Sequence, residues 1–420
     1  MKYISRQLEE TIIKSIGAYP AIMVTGPRQV GKTTLLAHIA EHRRQKINYV
    51  SLDDIQLRLQ ANEDPELFLE THPTPLIIDE FQYAPNLLSY IKIRIDRARN
   101  EELLRGGKAT GTLYYLTGSQ SFNAMKNVSE SLAGRVAIFD LFPLSTRELA
   151  GLKGGSFVPD VAKLKRREIV PGNLATSIFK KIIIGGYPRL HNTPKISREQ
   201  YYRDYMNTYV ERDIRQLVNI KDENRFTRFV GAVAARTGQE YNANEIANEV
   251  GVSNKTVEEW TSILKNTGII YLLQPYTNNT VSRAIKRPKI YFMDTGLACY
   301  LTGYLDATTL ERSAFSGAIF ETYVVAEVIK SYAGDGKDPR RHLYYYRDGN
   351  QREIDLVIVE NRKVYPVEIK KGMNPGREAV RNFGVVERFE MERGDGVVVC
   401  LAREITGIEA GVWRVPVGYL

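Results

Sequence analysis

Ala21-Ile22-Met23-Val24-Thr25 is a short apolar run that passes directly into Gly26-Pro27-Arg28-Gln29-Val30-Gly31-Lys32-Thr33-Thr34 and then into the helix-compatible Leu35-Leu36. This strand, glycine-bracketed loop and helix constrain the fold more than any other stretch, because G-x-x-x-x-G-K-T cradles phosphate only in a strand-to-helix context. Gly26 and Gly31 let the backbone curl so that its N–H groups and the helix N-terminus face phosphate oxygens. Lys32 is placed to meet the β- and γ-phosphates, and the Thr33 hydroxyl to complete a Mg²⁺ shell. Gly26, Pro27, Arg28, Gln29, Val30, Gly31, Lys32, Thr33 and Thr34 are therefore the expected nucleotide-binding residues. The bland alternative is a glycine-rich turn that merely matches the pattern.

Short β-rich runs alternate with helical stretches from Ala21 to about Leu149: Ala21 to Thr25, Tyr49 to Leu52, Leu76 to Ile78, Leu113 to Leu116 and Val136 to Leu141. Alternation of that kind predicts an α/β fold, a parallel sheet covered by helices on both faces. Pro75-Leu76-Ile77-Ile78-Asp79-Glu80 is an apolar strand ending in two carboxylates. Asp79 can hold the metal through water, and Glu80 can orient an attacking water as general base. Consecutive side chains of a strand point to opposite faces, so both can serve only where the strand ends.

Two further residues sit at strand ends. Ser119, in Thr117-Gly118-Ser119-Gln120, can sense a γ-phosphate from the carboxyl edge of the sheet, or simply cap a helix. Arg135, in Leu132-Ala133-Gly134-Arg135, can act as a transition-state arginine in cis or, in a homo-oligomer, in trans; a plain surface arginine is the other reading.

With 420 residues, 43% hydrophobic and 25% charged, the composition is that of an ordinary globular protein of two to three domains. Two cysteines, Cys299 and Cys400, are too few for a disulfide framework, which points to a reducing compartment. No apolar run approaches the roughly 20 residues of a membrane helix, and no apolar signal core follows the first charges, so a cytoplasmic location is expected. Fifty-eight Lys and Arg against 49 Asp and Glu leave a formal charge of +9, which favours a polyanionic partner such as DNA.

The expected organisation is a P-loop domain over 1–150, a basic linker and helical lid-like segment over 151–224, a winged-helix unit over 225–311 and an α/β unit over 312–420. In the linker, Lys163-Leu164-Lys165-Arg166-Arg167 reads as a surface connection, and Tyr201, Tyr205 and Tyr209 share one helical face suited to core packing. Asn242-Ala243-Asn244-Glu245 matches a capping box for a short helix that Gly251 can end, and Ser253 can cap a second helix from Asn254 to Lys265. Gly268 to Leu273 and Lys289 to Met293 would supply two wing strands. If this unit reads DNA, Asn254, Lys255 and Thr256 enter a groove, and Arg283, Lys286 and Arg287 of the wing loop touch phosphates. Glu258 and Glu259 argue against close backbone contact, and interdomain packing is the other use of such a unit.

Arg352 to Val359 and Val364 to Lys370 alternate on either side of Glu360-Asn361-Arg362-Lys363, the pattern of a β-hairpin. With the turn centred between Asn361 and Arg362, Asp355 lies opposite Glu368 and Glu353 opposite Lys370, while Ile354, Leu356 and Ile358 form the core face. Like charges directly opposite are costly unless a cation sits between them, and oxygen ligands suit Mg²⁺ or Mn²⁺. Lys370 can stabilise charge on a scissile phosphate, and Glu321 can lean from an upstream helix toward the metal. Glu321, Asp355 and Glu368 are thus the expected metal ligands and Asp355, Glu368 and Lys370 the catalytic groups; a sheet with one solvated, charged face is the alternative.

The runs G-P-R-Q-V-G-K-T-T-L at Gly26 to Leu35, I-I-D-E at Ile77 to Glu80, L-T-G-S at Leu116 to Ser119 and L-A-G-R at Leu132 to Arg135 resemble a large group of prokaryotic AAA-type P-loop ATPases. Leu141-Phe142-Pro143-Leu144-Ser145, Gly185-Gly186-Tyr187-Pro188, Tyr209 to Ile214 and Asp294-Thr295-Gly296-Leu297 look like the same group. That resemblance implies ATP binding and hydrolysis with Mg²⁺, followed by a C-terminal region similar to restriction-endonuclease-like folds. Asp355, Glu368-x-Lys370 and a preceding helical glutamate resemble the PD-(D/E)XK nuclease core. The combined expectation is an ATP-driven protein acting on DNA, with no membrane partner. A nucleotide-gated scaffold that binds without cutting is the alternative, and a small-molecule kinase is a weaker third.

Overall fold

The computed structural model describes residues 3–42, 46–105, 111–118, 131–172, 174–193, 196–209, 223–277 and 287–420. The chain forms two compact units, one of residues 6–142 with 266–268, the other of residues 1–5, 143–265 and 269–420. The expected boundaries near 225 and 312 fall inside the second.

In the first unit, β1 (Ala21–Thr25), β2 (Asn48–Ser51), β3 (Leu76–Asp79), β4 (Tyr114–Gly118) and β5 (Val136–Asp140) form a wholly parallel sheet in the order β2-β3-β4-β1-β5. The five apolar runs read from the sequence are these five strands, within two residues at each end. Every residue of β1 and β4 is buried, as a central parallel strand covered on both faces must be. Met23, Ile78, Leu116, Phe68, Leu88 and Ile91 belong to one core cluster that joins the sheet to the helix Leu87–Arg105. The order sets β4 between β1 and β3, so the carboxyl ends of these three strands lie side by side.

In the second unit, the helix Arg198–Tyr209 buries Tyr201, Tyr205 and Tyr209 on one face, as the four-residue spacing predicts. Asp294 is 3% exposed and accepts from the Gly186 N–H at 2.6 Å, the Leu297 N–H at 2.8 Å and the Tyr202 hydroxyl at 2.7 Å. Gly185 has φ +77°, and a Cβ there would collide with Tyr202 and Asp294. The G-G-Y-P and D-T-G-L motifs are therefore two halves of one packed joint.

Helices α1 (Ala243–Val250) and α2 (Asn254–Asn266) precede an antiparallel pair, β6 (Ile270–Leu273) and β7 (Lys289–Phe292). Gly251 ends α1 at φ +75°, and the Ser253 hydroxyl accepts from the Thr256 N–H at 3.1 Å. The expected capping box does not close: the Asn242 side chain donates to Glu245 at 2.5 Å and leaves the backbone uncapped.

Downstream, α3 (Ser316–Gly334) packs on a mixed sheet of β8 (Leu343–Arg347), β9 (Glu353–Glu360), β10 (Lys363–Lys370), β11 (Glu392–Arg393), β12 (Gly396–Cys400), β13 (Thr406–Glu409) and β14 (Val412–Pro416). The order is β13-β14-β12-β10-β9-β8, with β11 beside β10. Asn361 and Arg362 both have positive φ, the signature of a type I′ hairpin turn. The register follows the sequence reading, from Lys363 opposite Glu360 to Val367 opposite Leu356. Asp355 and Glu368 lie one position past the end of that ladder. Burial removes the alternative of a solvated, charged face: Val357, Val364, Val398 and Cys400 pack with Phe383, Val386 and Phe389. Asp355 is only 7% exposed and Glu368 9%.

Candidate nucleotide site and C-terminal carboxylate cluster

The loop after β1 is shaped by its glycines. Gly26 has φ +140°, and a Cβ there would strike the Leu141 carbonyl; Gly31 has φ +93°. Lys32 opens the helix Lys32–His42, and its ammonium donates to the Gly26 carbonyl at 3.0 Å and the Pro27 carbonyl at 2.9 Å. Arg6 is buried against the same loop, donating to the Val30 carbonyl at 2.8 Å and the Phe142 carbonyl at 2.5 Å.

Asp79 collects donors from three elements. Its Oδ2 accepts from the Thr33 hydroxyl at 2.9 Å and the Tyr49 hydroxyl at 3.1 Å, and its Oδ1 accepts from the Thr117 hydroxyl. Burial, then the Asp79 charge, raises the Tyr49 phenol above its usual range. Glu80 adopts the left-handed conformation at φ +55°, which breaks strand alternation where β3 ends. The Gln82 amide donates to Glu80 Oε2, and the missing side chain of Gly118 leaves room for it. The donor set fits Mg²⁺ with a nucleotide: a hydroxyl and a carboxylate side by side, a lysine at the loop and a second carboxylate held beyond the strand.

The C-terminal cluster is built differently. Asp355 Oδ2 accepts from the Ile369 N–H at 2.9 Å, tying the ends of β9 and β10 together. Lys370 lies 2.6 Å from Glu368 Oε1 and 3.9 Å from Asp355 Oδ2. Lys289 of β7 reaches in from the side, 2.5 Å from Glu353 Oε1, 3.2 Å from Glu321 Oε1 and 4.0 Å from Asp355 Oδ1. The Tyr291 hydroxyl donates to Glu321 at 2.7 Å.

Burial and the nearby Asp355 push Glu321 up to about 7, against the pull of Lys289 and Tyr291. The same two causes push Glu368 up to about 8, against Lys370. Burial alone would lower Lys289, but Tyr291, Glu321, Asp355 and Glu353 hold it well above the usual lysine range. Among the described residues, no three carboxylates, imidazoles or thiols converge so as to hold a metal ion. The structure brings Glu321, Asp355 and Glu368 near one another, with Lys289 and Lys370 supplying positive charge between the carboxylates. A divalent ion does not fit this arrangement.

Residues 18–150 match the family model of an AAA domain. Residues 175–308 and 316–420 match two domains of unknown function, DUF8612 and DUF4143. An uncharacterized protein of Mycobacterium tuberculosis is 28% identical over 357 residues, covering 85% of this chain and 71% of the relative. One of Methanocaldococcus jannaschii is 22% identical over 379 residues, covering 87% and 77%. Among solved structures, a Walker-type ATPase of Pyrococcus abyssi is 14% identical over 71% of this chain and 96% of its own, at a TM-score of 0.38. The Holliday junction branch migration motor RuvB of Thermotoga maritima is 20% identical over 63% and 88%, at 0.30.

Within the AAA-type region, the structure brings together Gly26, Lys32, Thr33, Asp79 and Thr117, while Gln29 and Thr34 are exposed and Arg28 is half-buried. Arg135 turns elsewhere: its guanidinium forms a two-point pair with Asp96 at 2.7 and 3.0 Å, which also holds the Asp96 carboxyl below its usual range. Ser119 lies outside the described residues, as do Arg283 and Lys286. At the start of α2, Asn254 and Lys255 are exposed and Thr256 is half-buried; Arg287 is exposed, and its carbonyl accepts from the Tyr345 hydroxyl.

Sequence reasoning missed Arg6, Tyr49 and Gln82 around the nucleotide site, and Lys289 and Tyr291 in the C-terminal cluster; it placed Glu353 opposite Lys370 without giving it a role. A lysine heading the otherwise apolar Ile290-Tyr291-Phe292-Met293 was the one available signal.

Proposed function

We propose that this chain binds and hydrolyses ATP with Mg²⁺ through its AAA-type region and acts on, or is regulated by, DNA. The observation that carries the first part is the Thr33 hydroxyl 2.9 Å from Asp79, at the mouth of a glycine-shaped loop headed by Lys32. Mg²⁺, held there by Thr33 and Asp79, would offset the charge of the phosphates. The residues do the rest. Lys32 exchanges its two loop carbonyls for β- and γ-phosphate oxygens, Thr33 and Asp79 orient the metal's shell, and Glu80, steadied by Gln82, takes the proton of the attacking water.

The DNA part rests on the charge of +9 and on the exposed Asn254, Lys255 and Arg287 around two helices and a strand pair of winged-helix type. For the C-terminal domain two readings stand. Asp355, Glu368 and Lys370 match a nuclease pattern, whereas the ammonium of Lys289 between the carboxylates favours a domain that binds without cleaving in this state.

ATP turnover by the wild type and by Lys32→Ala, with and without plasmid DNA, tests the first part. Turnover lost in the variant and altered by DNA supports the proposal; turnover surviving in Lys32→Ala overturns it. Nicking of the same plasmid with Mn²⁺, absent in Asp355→Ala, would select the cleaving reading.

A further inference from the structure

The 316–420 region supplies Glu321, Glu353, Asp355 and Glu368, but one of the cations that answers them comes from outside it. Lys289 sits on β7, with its backbone fixed from two sides: it pairs with Leu273 of β6 and bridges Glu240. Its side chain is 4% exposed. Two carboxylate oxygens lie within hydrogen-bond reach of the ammonium, Asp355 Oδ1 stands at 4.0 Å, and the ring of Tyr345 is centred 5.6 Å away. The Tyr345 hydroxyl in turn donates to the Arg287 carbonyl, two residues before the lysine.

An ammonium has three donors and no acceptor, so this setting matches it. Mg²⁺ and ions like it demand oxygens at roughly 2.0–2.1 Å around one point. A lysine at the place where Glu321, Glu353 and Asp355 face one another keeps the oxygens apart, and its charge repels a second cation. The lysine reaches this place by register rather than by chance of rotamer. Val367 to Leu356 closes the β9–β10 ladder just before Asp355, and β7 presents Lys289 to that open end.

We infer that Lys289 is the resident counter-cation of this cluster and that, in this conformation, it shuts the site to divalent metal. The inference rests on reading 316–420 as nuclease-like, and it makes the 175–308 region, which carries β7, the holder of the stopper. Metal entry then requires Lys289 to leave Glu321 and Glu353.

The test uses the full chain without nucleotide. Mn²⁺ uptake is followed by the electron paramagnetic resonance of the free ion, and thermal unfolding is recorded with and without Mn²⁺. Uptake that depends on Asp355 is isolated by adding Asp355→Asn to each protein. Lys289→Met should take up Mn²⁺ at least tenfold more tightly than the wild type, gain melting temperature on adding Mn²⁺, and lose both effects with Asp355→Asn.

If Lys289→Met does not fold, Lys289→Met with Glu353→Gln, which removes one negative charge along with the positive one, gives the same comparison. Equal Asp355-dependent affinity in wild type and variant overturns the inference and leaves a metal site standing. A destabilised variant that Mn²⁺ does not restore, with no Asp355-dependent uptake in any protein, overturns the inference and the metal reading together.

Discussion

The hydroxyl of Thr33 donates to Oδ2 of Asp79 across 2.9 Å, joining the first turn after the glycine loop to the end of a strand 46 positions later. Between the two strands concerned lies β4, whose Thr117 donates to the other oxygen of the same carboxylate. The helix Lys32–His42, β2 and β4 thus each donate to the one carboxylate that ends β3, and a side chain held from three directions loses little freedom when nucleotide arrives.

Removing charge from Lys32 or Glu80 should stop chemistry without unfolding the chain. Lys32→Ala and Glu80→Gln are each expected to lower ATP turnover by about 10²-fold or more. Phosphate release checks this, with circular dichroism confirming the fold. Asp355→Ala should leave the same rate unchanged.

Gln82 is expected to act through Glu80, to which its amide donates. Gln82→Leu should lower kcat for ATP by about tenfold while leaving KM nearly unaltered, because the side chain touches the general base rather than the phosphates. A KM change with kcat intact would count against that role.

The Asp294 joint should be a stability element. Asp294→Ala leaves the Gly186 and Leu297 N–H groups without their acceptor, and the Tyr202 hydroxyl keeps only the Ile184 carbonyl. A cost of about 3 kcal/mol or more is expected in urea unfolding. Gly185→Ala should also destabilise, because the new Cβ meets Tyr202 and Asp294 at a positive φ.

Acidity should favour the C-terminal domain. Glu368 stands at about 8 when folded against an ordinary 4.5, so the folded chain binds more protons between these values. Its contribution is fully present below about pH 4.5 and is lost as pH rises through 8. Glu368→Gln, measured in chelator, should flatten the fall of melting temperature across that window.

The hairpin shows how far local pattern reaches. Alternation on either side of Asn361 and Arg362 is enough to fix the turn, the register and the approach of Asp355 to Glu368, because strand pairing obeys a period of two. The same alternation cannot tell whether the second face is covered. Coverage depends on Phe383, Val386 and Phe389, which no rule of spacing ties to β9.

By itself, the sequence determined the glycine-shaped loop, the five parallel strands, the two carboxylates ending β3 and the hairpin register. Each is written in residues that are neighbours along the chain or related by a short period. Tertiary structure alone decided that Arg135 pairs with Asp96 and that Lys289 occupies the space between Glu321, Glu353 and Asp355. Those partners come from separate elements, and a charged side chain in a strand carries no mark of which opposite charge the packing will bury it against.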